Sequence, residues 1–276
     1  MKIKSVDQAN YDHSYYLGVY GDSFFDEVKG RFVSEHDATY DKISGLGTLK
    51  DTDKVIDFGC GNGNLSFLLS TRYHCHIVGL DYSRGAIEVC QKKLAKFNQA
   101  TGQCHKIEFL NCANEVLPDF HDINVVFLCD VIEHMYDEEI TLVFNRIKTW
   151  RADGGVRVAL KTDNNHYLKL IEPVLSVLGL LLGKKSLGQI IKGCQREKEL
   201  HVNLTTPGIL KRKLSMLGFK EVILEYPVVS RELVDKQLGS MKNIPFLSVL
   251  SVWLLKKCNF LSPTFYALYE YGSAID

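Results

Sequence analysis

Lys54-Val-Ile-Asp57-Phe-Gly59-Cys60-Gly61-Asn62-Gly63-Asn64 is the stretch that decides the fold. A short apolar run, Val55 to Phe58, ends in three glycines at alternate positions. An amphipathic run, Leu65, Phe67, Leu68 and Leu69, follows at once. That order reads as a buried strand, a tight turn and a helix start. Glycine accepts positive φ and carries no Cβ, so a ligand can lie against the backbone there. A helix N-terminus beside it offers N–H groups. The spacing excludes a dinucleotide turn, because Asn64 stands where the last glycine of G-x-G-x-x-G belongs. It excludes a phosphate P-loop as well, since no Lys-Ser/Thr follows. Asp57 ahead of the turn would repel a pyrophosphate and suits a cationic ligand such as an amino acid's ammonium group.

Working outward, Cys75 to Leu80 reads as a second parallel strand closed by Asp81. A carboxylate about 20 residues past the glycines can accept two hydrogen bonds from a ribose. Ser83 is placed to cap the next helix, over 84–99. Ile107 to Cys112 forms a third strand. Ile123 to Cys129 is a continuous apolar run, as a central strand covered on both faces requires. Further strands are expected over 156–162, 219–229 and 265–271, with an apolar helix over 244–257. The fold class is therefore α/β: an open, Rossmann-like, seven-stranded sheet, mostly parallel, with helices on both faces and an antiparallel last strand.

Asp57, Gly59, Gly61 and Gly63 match position by position the D-x-G-x-G-x-G motif, and here the sequence resembles the class I S-adenosylmethionine-dependent methyltransferases. The resemblance covers 50–165 strongly and 200–272 loosely. It implies S-adenosyl-L-methionine as cofactor, with Asp57 at the ammonium group and Gly59, Cys60 and Gly61 letting the backbone approach. It further implies Asp81 at the ribose and Tyr82 on the adenine side. Family members usually place Asp-Ala after the third strand. Here Asn111-Cys112-Ala113 stands there, so the Asn111 carbonyl and the Ala113 N–H become the adenine-side candidates, with Cys112 in the cofactor set. Cys129, closing the central strand, joins the cofactor set. Tyr16 does too, as one of four N-terminal tyrosines (with Tyr11, Tyr15 and Tyr20) able to meet a sulfonium through a ring face.

Asp130-Val-Ile-Glu133-His134-Met resembles the Glu-His signature of the branch that includes ubiquinone-biosynthesis O-methyltransferases. His134 is a general-base candidate; the alternative reading is that Glu133 and His134 order the start of the following helix and loop. His201, in a His-x-x-x-x-Thr-Pro block, is the second base candidate. Thr206 there is an N-cap with Pro207 in the first turn. No metal ligand set is assigned. The acceptor is expected to be a small, apolar or lipid-like molecule methylated at oxygen. Alternatives are methylation at nitrogen or carbon, or a non-catalytic scaffold of the same fold.

The 276 residues allow a single domain, with 1–50 as a helical N-terminal cap and 164–200 as an apolar insertion, either lid or core. Phe24, Phe25, Val28 and Phe32 have helical spacing. Hydrophobic residues make up 46% and charged residues 24%, and net charge is +0 with pI near 7.1. Neither a basic surface nor an Asn-Pro-Pro-Tyr motif points to nucleic acid as partner. The 8 cysteines contain no C-x-x-C pair and read as reduced thiols of a cytoplasmic protein. The first residues lack the apolar core of a signal peptide. Lys184, Lys185, Lys192, Arg196 and Lys198 around the 164–200 segment would suit peripheral contact with an anionic membrane.

Overall fold

The computed structural model describes residues 24–26, 31–34, 36–102, 106–112, 119–184, 186–238, 241–243 and 245–272. Tyr11, Tyr15, Tyr16, Tyr20 and Ala113 lie outside them.

Two short strands, β1 (Phe24–Asp26) and β2 (Arg31–Val33), precede the main sheet. That sheet contains β3 (Lys54–Phe58), β4 (His76–Asp81), β5 (Ile107–Asn111), β6 (Val125–Cys129), β7 (Val156–Asp163), β8 (Lys220–Glu225) and β9 (Thr264–Tyr271). Its order is β5-β4-β3-β6-β7-β9-β8. The first five are parallel neighbours, and β9 runs antiparallel to both β7 and β8. The chain runs outward from β3 through β4 to β5, then crosses back to β6 on the other side of β3. The order therefore reverses between β3 and β6, and a ligand crevice belongs at the carboxyl ends of those strands.

Alternation along the strands explains their unbroken apolar character. Ile56, Phe58, Val126, Leu128, Val158 and Leu160 face one core, covered by the helices Asp137–Trp150 and Pro207–Met216. Val55, Val125, Phe127 and Ala159 face the other, beneath the helices Asp37–Gly47, Asn64–Arg72 and Arg84–Thr101. A strand covered on both sides has no polar face to show. The expected caps form: Ser83 Oγ accepts the Ala86 N–H at 3.2 Å, and Thr206 Oγ1 accepts the Ile209 N–H at 3.4 Å.

The helical spacing read over Phe24–Phe32 is corrected. Phe24–Asp26 and Arg31–Val33 form an antiparallel ribbon with Phe25 opposite Phe32, and Val28 lies outside the described residues. Their rings meet edge-on at 5.4 Å, and Phe32 sits 5.2 Å from Phe67. Packing onto the sheet's outer helix outweighs a periodicity carried by so few residues. The first described helix is Asp37–Gly47, whose Tyr40, Ile43 and Leu46 are buried.

The 164–200 segment folds as the helices Asn165–Leu170, Glu172–Leu181 and Leu187–Leu200. It does not extend either sheet core. Ile171, Leu175 and Leu178 instead join a separate cluster with Val234, Leu238, Met241 and Leu255. Those partners come from the helices Arg231–Leu238 and Pro245–Lys257 and the turn between them.

Candidate active site

The glycine bend is tied to the neighbouring strand by its own backbone. Gly59, Gly61 and Gly63 all have positive φ, at 71°, 54° and 79°. The N–H groups of Gly59 and Cys60 both donate to the Leu80 carbonyl, at 2.7 and 2.9 Å. The Gly61 N–H donates to Asp81 Oδ2 at 2.9 Å, and the Ser83 N–H donates to Asp81 Oδ1 at 2.8 Å. A buried carboxylate thus fixes the bend after β3 to the helix start after β4.

Two of the three glycines serve packing. A Cβ on Gly59 would come within 2.6 Å of Val131 Cγ2. One on Gly63 would stand 3.0 Å from both Cys90 Sγ and the Phe109 ring. Cys90 also donates its S–H to the Gly61 carbonyl, at 3.1 Å. Burial raises the Cys60 thiol well above its ordinary range, and Cys90 beside it adds to the rise. The Cys60 sulfur therefore packs as a neutral thiol.

Asp57, on β3, is 2% exposed. Ser66 Oγ donates to its Oδ2 at 2.6 Å, and the Ser66 N–H bonds it as well. The carboxylate thereby fills the role of helix cap for Asn64–Arg72, so those helix N–H groups do not all point outward as the sequence suggested. Burial pushes its carboxyl up to about 6, Ser66 opposes the shift, and Asp81 adds to it.

At the end of β5, Asn111 Nδ2 donates to the carbonyls of Asp81 and Tyr82, at 3.1 and 3.0 Å. The Cys112 N–H donates to the Asp81 carbonyl at 3.0 Å, and burial lifts the Cys112 thiol to about 12. Tyr82 packs with Ala86, Tyr136, Leu200 and Val202. The end of the insertion thus reaches across to the β4 loop.

At the ends of β6 and β7 a second polar group assembles. Asp130 adopts positive φ, 57°, which is uncommon for a residue with a Cβ. Its carboxylate pairs with Lys161, a half-buried lysine on β7. Burial disfavours the Lys161 charge, but Asp130 and the other acids around it dominate and raise it. Cys129 stays a protonated thiol through burial, with Sγ 3.8 Å from Asp130 Oδ2. Glu133 is buried and accepts the Thr162 hydroxyl at 2.7 Å. Burial first, then Asp130 and Asp163, push Glu133 up to about 8. Asp130, Glu133 and Asp163 bring carboxylate oxygens within 4.8 Å of one another, and Lys161 sits among them as counter-charge.

The two histidines come together here. Their rings are 4.9 Å apart and edge-on. His134 Nδ1 lies 3.0 Å from the Leu200 carbonyl, an acceptor only, so Nδ1 carries the proton. In the neutral ring Nε2 is then the basic nitrogen. His201 Nδ1 is 3.5 Å from Asp163 Oδ2.

Glu133 has a consequence for stability. Its folded carboxyl titrates near 8, against an ordinary value of 4.5. Between those values the folded chain holds more protons at this site than the unfolded chain. Stability therefore falls as pH rises through the window. Glu133→Gln keeps the shape and an acceptor for Thr162. It should unfold about 1–2 kcal/mol less readily than the parent at pH 9 and differ little at pH 5. Urea titrations at the two pH values check this, and equal differences at both would assign the pH dependence elsewhere.

Sequence reading brought Asp57, the glycines, Asp81, Tyr82, Cys112, Cys129, Glu133, His134 and His201 to one sheet edge, and the fold assembles them there. It missed Ser66, Asp130, Lys161 and Asp163. The signal was present for Lys161: a lysine near the end of a central strand needs a charged partner.

Comparison with known proteins agrees with this architecture. Residues 55–155 match the family model described as "Methyltransferase domain". A 160-residue stretch is 23% identical to (S)-tetrahydroprotoberberine N-methyltransferase of Eschscholzia californica, covering 54% of this chain and 42% of that protein. Another, of 113 residues, is 29% identical to the ubiquinone biosynthesis O-methyltransferase of Pelagibacter ubique, covering 41% and 44%. The chain thus spans less than half the length of these curated relatives. Among solved structures, phosphoethanolamine N-methyltransferase 2 of Haemonchus contortus, in complex with phosphomonomethylethanolamine and S-adenosylhomocysteine, superposes with a TM-score of 0.59. It is 14% identical, with 96% of this chain and 58% of that one covered. At that identity the likeness speaks for the fold.

Proposed function

We propose that this chain, which carries a class I methyltransferase domain over residues 55–155, transfers a methyl group from S-adenosylmethionine to a small acceptor. The observation that carries the reading is Asp81, a buried carboxylate that ties the glycine bend to the β4 helix start at the point where strand order reverses. The donor set fits an adenosyl amino acid. Asp57 suits an ammonium group, Asp81 a ribose diol, and Asn111 and Cys112 edge the adenine side. S-adenosylmethionine, when bound, supplies a methyl group already activated on a sulfonium. What remains for the protein is orientation and exclusion of water.

The acceptor side is the polar group at the ends of β6 and β7. We assign His134 Nε2 as the proton acceptor for a hydroxyl acceptor, with its ring held by the Leu200 carbonyl. His201, backed by Asp163, stands beside it as a second base or as an electrostatic neighbour. Glu133 acts by holding the turn at Ile132–His134 rather than by exchanging protons with the acceptor. An apolar, lipid-like acceptor methylated at oxygen remains the preferred reading, supported by the Glu133-His134 resemblance and by the apolar lobe flanking this end of the sheet. Methylation at nitrogen is the second reading. The plant relative is named for that chemistry, and the acidic group at Asp130 and Asp163 would suit an amine.

Asp57 gives the reading a pH test. Its carboxyl titrates at about 6 in the unliganded protein, and an ammonium group binds its ionised form. S-adenosylhomocysteine affinity, measured by calorimetry, should fall about tenfold between pH 7 and pH 5. Asp57→Asn should bind more weakly and lose that slope. A slope unchanged in Asp57→Asn would remove Asp57 from the ligand site. Reaction class and acceptor are tested together by incubating the protein with methyl-labelled S-adenosylmethionine and a cell extract. Mass spectrometry should find one labelled small molecule that is absent when His134→Ala replaces the parent. Label carried only on protein or nucleic acid would contradict the proposal.

A further inference from the structure

We infer that the helical lobe built from the helices Glu172–Leu181 and Pro245–Lys257 docks on the surface of an anionic lipid bilayer. Both helices carry apolar side chains well beyond the side they bury. Leu175, Leu178, Leu247 and Val252 face inward and pack in the lobe's own cluster. On the outer side Val174, Val177 and Leu181 recur at i, i+3 and i+7, and so do Phe246, Val249 and Trp253. These six are all exposed, Leu181 to 77% and Phe246 to 71%. A helix apolar all round belongs in a protein core or a lipid phase. Most of the large exposed apolar side chains among the described residues lie in 170–191 or 246–260.

Charge identifies the occupant. The whole chain balances 33 basic against 33 acidic residues. Yet residues 173–195 contain Lys184, Lys185 and Lys192 and no acid, and residues 236–269 contain Lys236, Lys242, Lys256 and Lys257 and no acid. Lys192, Lys242, Lys256 and Lys257 are exposed. An apolar face bordered by lysines, with an aromatic Trp253 among its side chains, complements anionic head groups over an acyl phase. No described helix is long and apolar enough to cross a membrane, so the lobe lies on the surface. It also adjoins the site, since the helix Asn165–Leu170 follows directly on β7 and Asn164 Nδ2 donates to the carbonyls of Phe260 and Ser262. Binding to the bilayer is separate from methyl transfer and stands or falls without it.

The chain carries its own probe. Of its two tryptophans, Trp150 is fully buried in the sheet core and Trp253 is 57% exposed. Vesicles of phosphatidylcholine with added phosphatidylglycerol should shift the emission to the blue, and brominated lipid should quench it. The protein should co-sediment with these vesicles at least about tenfold more than with phosphatidylcholine alone, and added salt should reduce the difference. Val177→Asp with Trp253→Asp should lose that binding while S-adenosylhomocysteine affinity is kept. Unchanged emission and no sedimentation of the parent protein would overturn the inference. So would full vesicle binding by the double variant. Self-association in ultracentrifugation that the same substitutions abolish, without vesicle binding, would reassign the face to a second copy of the chain.

Discussion

Replacing His134 by alanine should lower kcat about 10²–10⁴-fold with the acceptor that labelling identifies, as loss of a positioned base does. S-adenosylhomocysteine affinity should change little, because His134 touches the end of the 164–200 insertion rather than the glycine bend. The acid limb of the kcat–pH profile should disappear in the variant, a change that a purely structural role would not produce. Because the ring also holds the Leu200 carbonyl, His134→Asn separates the two contributions. It can still donate to the carbonyl but cannot take a proton. A variant His134→Asn as slow as His134→Ala assigns the loss to proton transfer. A His134→Asn variant with parental kcat would make His134 a positioning residue.

The second large effect falls on Asp81. Its side chain accepts two backbone N–H groups, at 2.9 and 2.8 Å, and is assigned to the ribose hydroxyls as well. Asp81→Ala should weaken S-adenosylhomocysteine binding by about 1–3 kcal/mol, the range for a charged hydrogen bond lost in a buried setting. It should also destabilise the fold, because the Gly61 and Ser83 N–H groups lose their acceptor. Asp81→Asn offers one acceptor oxygen in place of two and should fall between parent and alanine on both measures. Parental affinity in Asp81→Ala would take the ribose out of the account.

Why Asp57, the glycines and Asp81 were legible in the sequence while other residues were not has a physical answer. Asp57, the glycines and Asp81 sit on strand ends whose apolar runs, Val55–Phe58 and Ile77–Leu80, have no polar face. Such runs announce buried parallel strands, and parallel strands bring their carboxyl ends to one edge. What each glycine does was not legible. Gly59 gives way to Val131, and Gly63 to Cys90 and Phe109, contacts made by residues 27 or more positions away. Periodicity misread Phe24–Phe32, where a few phenylalanines satisfy a helical spacing but pair as a ribbon. The short helix Arg231–Leu238 is mostly polar and contributes only Val234 and Leu238 to the buried cluster, too few for a clear apolar period. The lobe's core was hidden for a related reason. It joins Leu175 and Leu178 to Val234 and Leu255, far apart in the chain.

Isothermal titration of S-adenosylhomocysteine into the protein at pH 7 tests the central assignment most directly. Saturable one-to-one binding is expected, weakened by Asp81→Ala and absent when a nicotinamide dinucleotide replaces the ligand. No heat of binding with S-adenosylhomocysteine, or binding of the dinucleotide in its place, would contradict it.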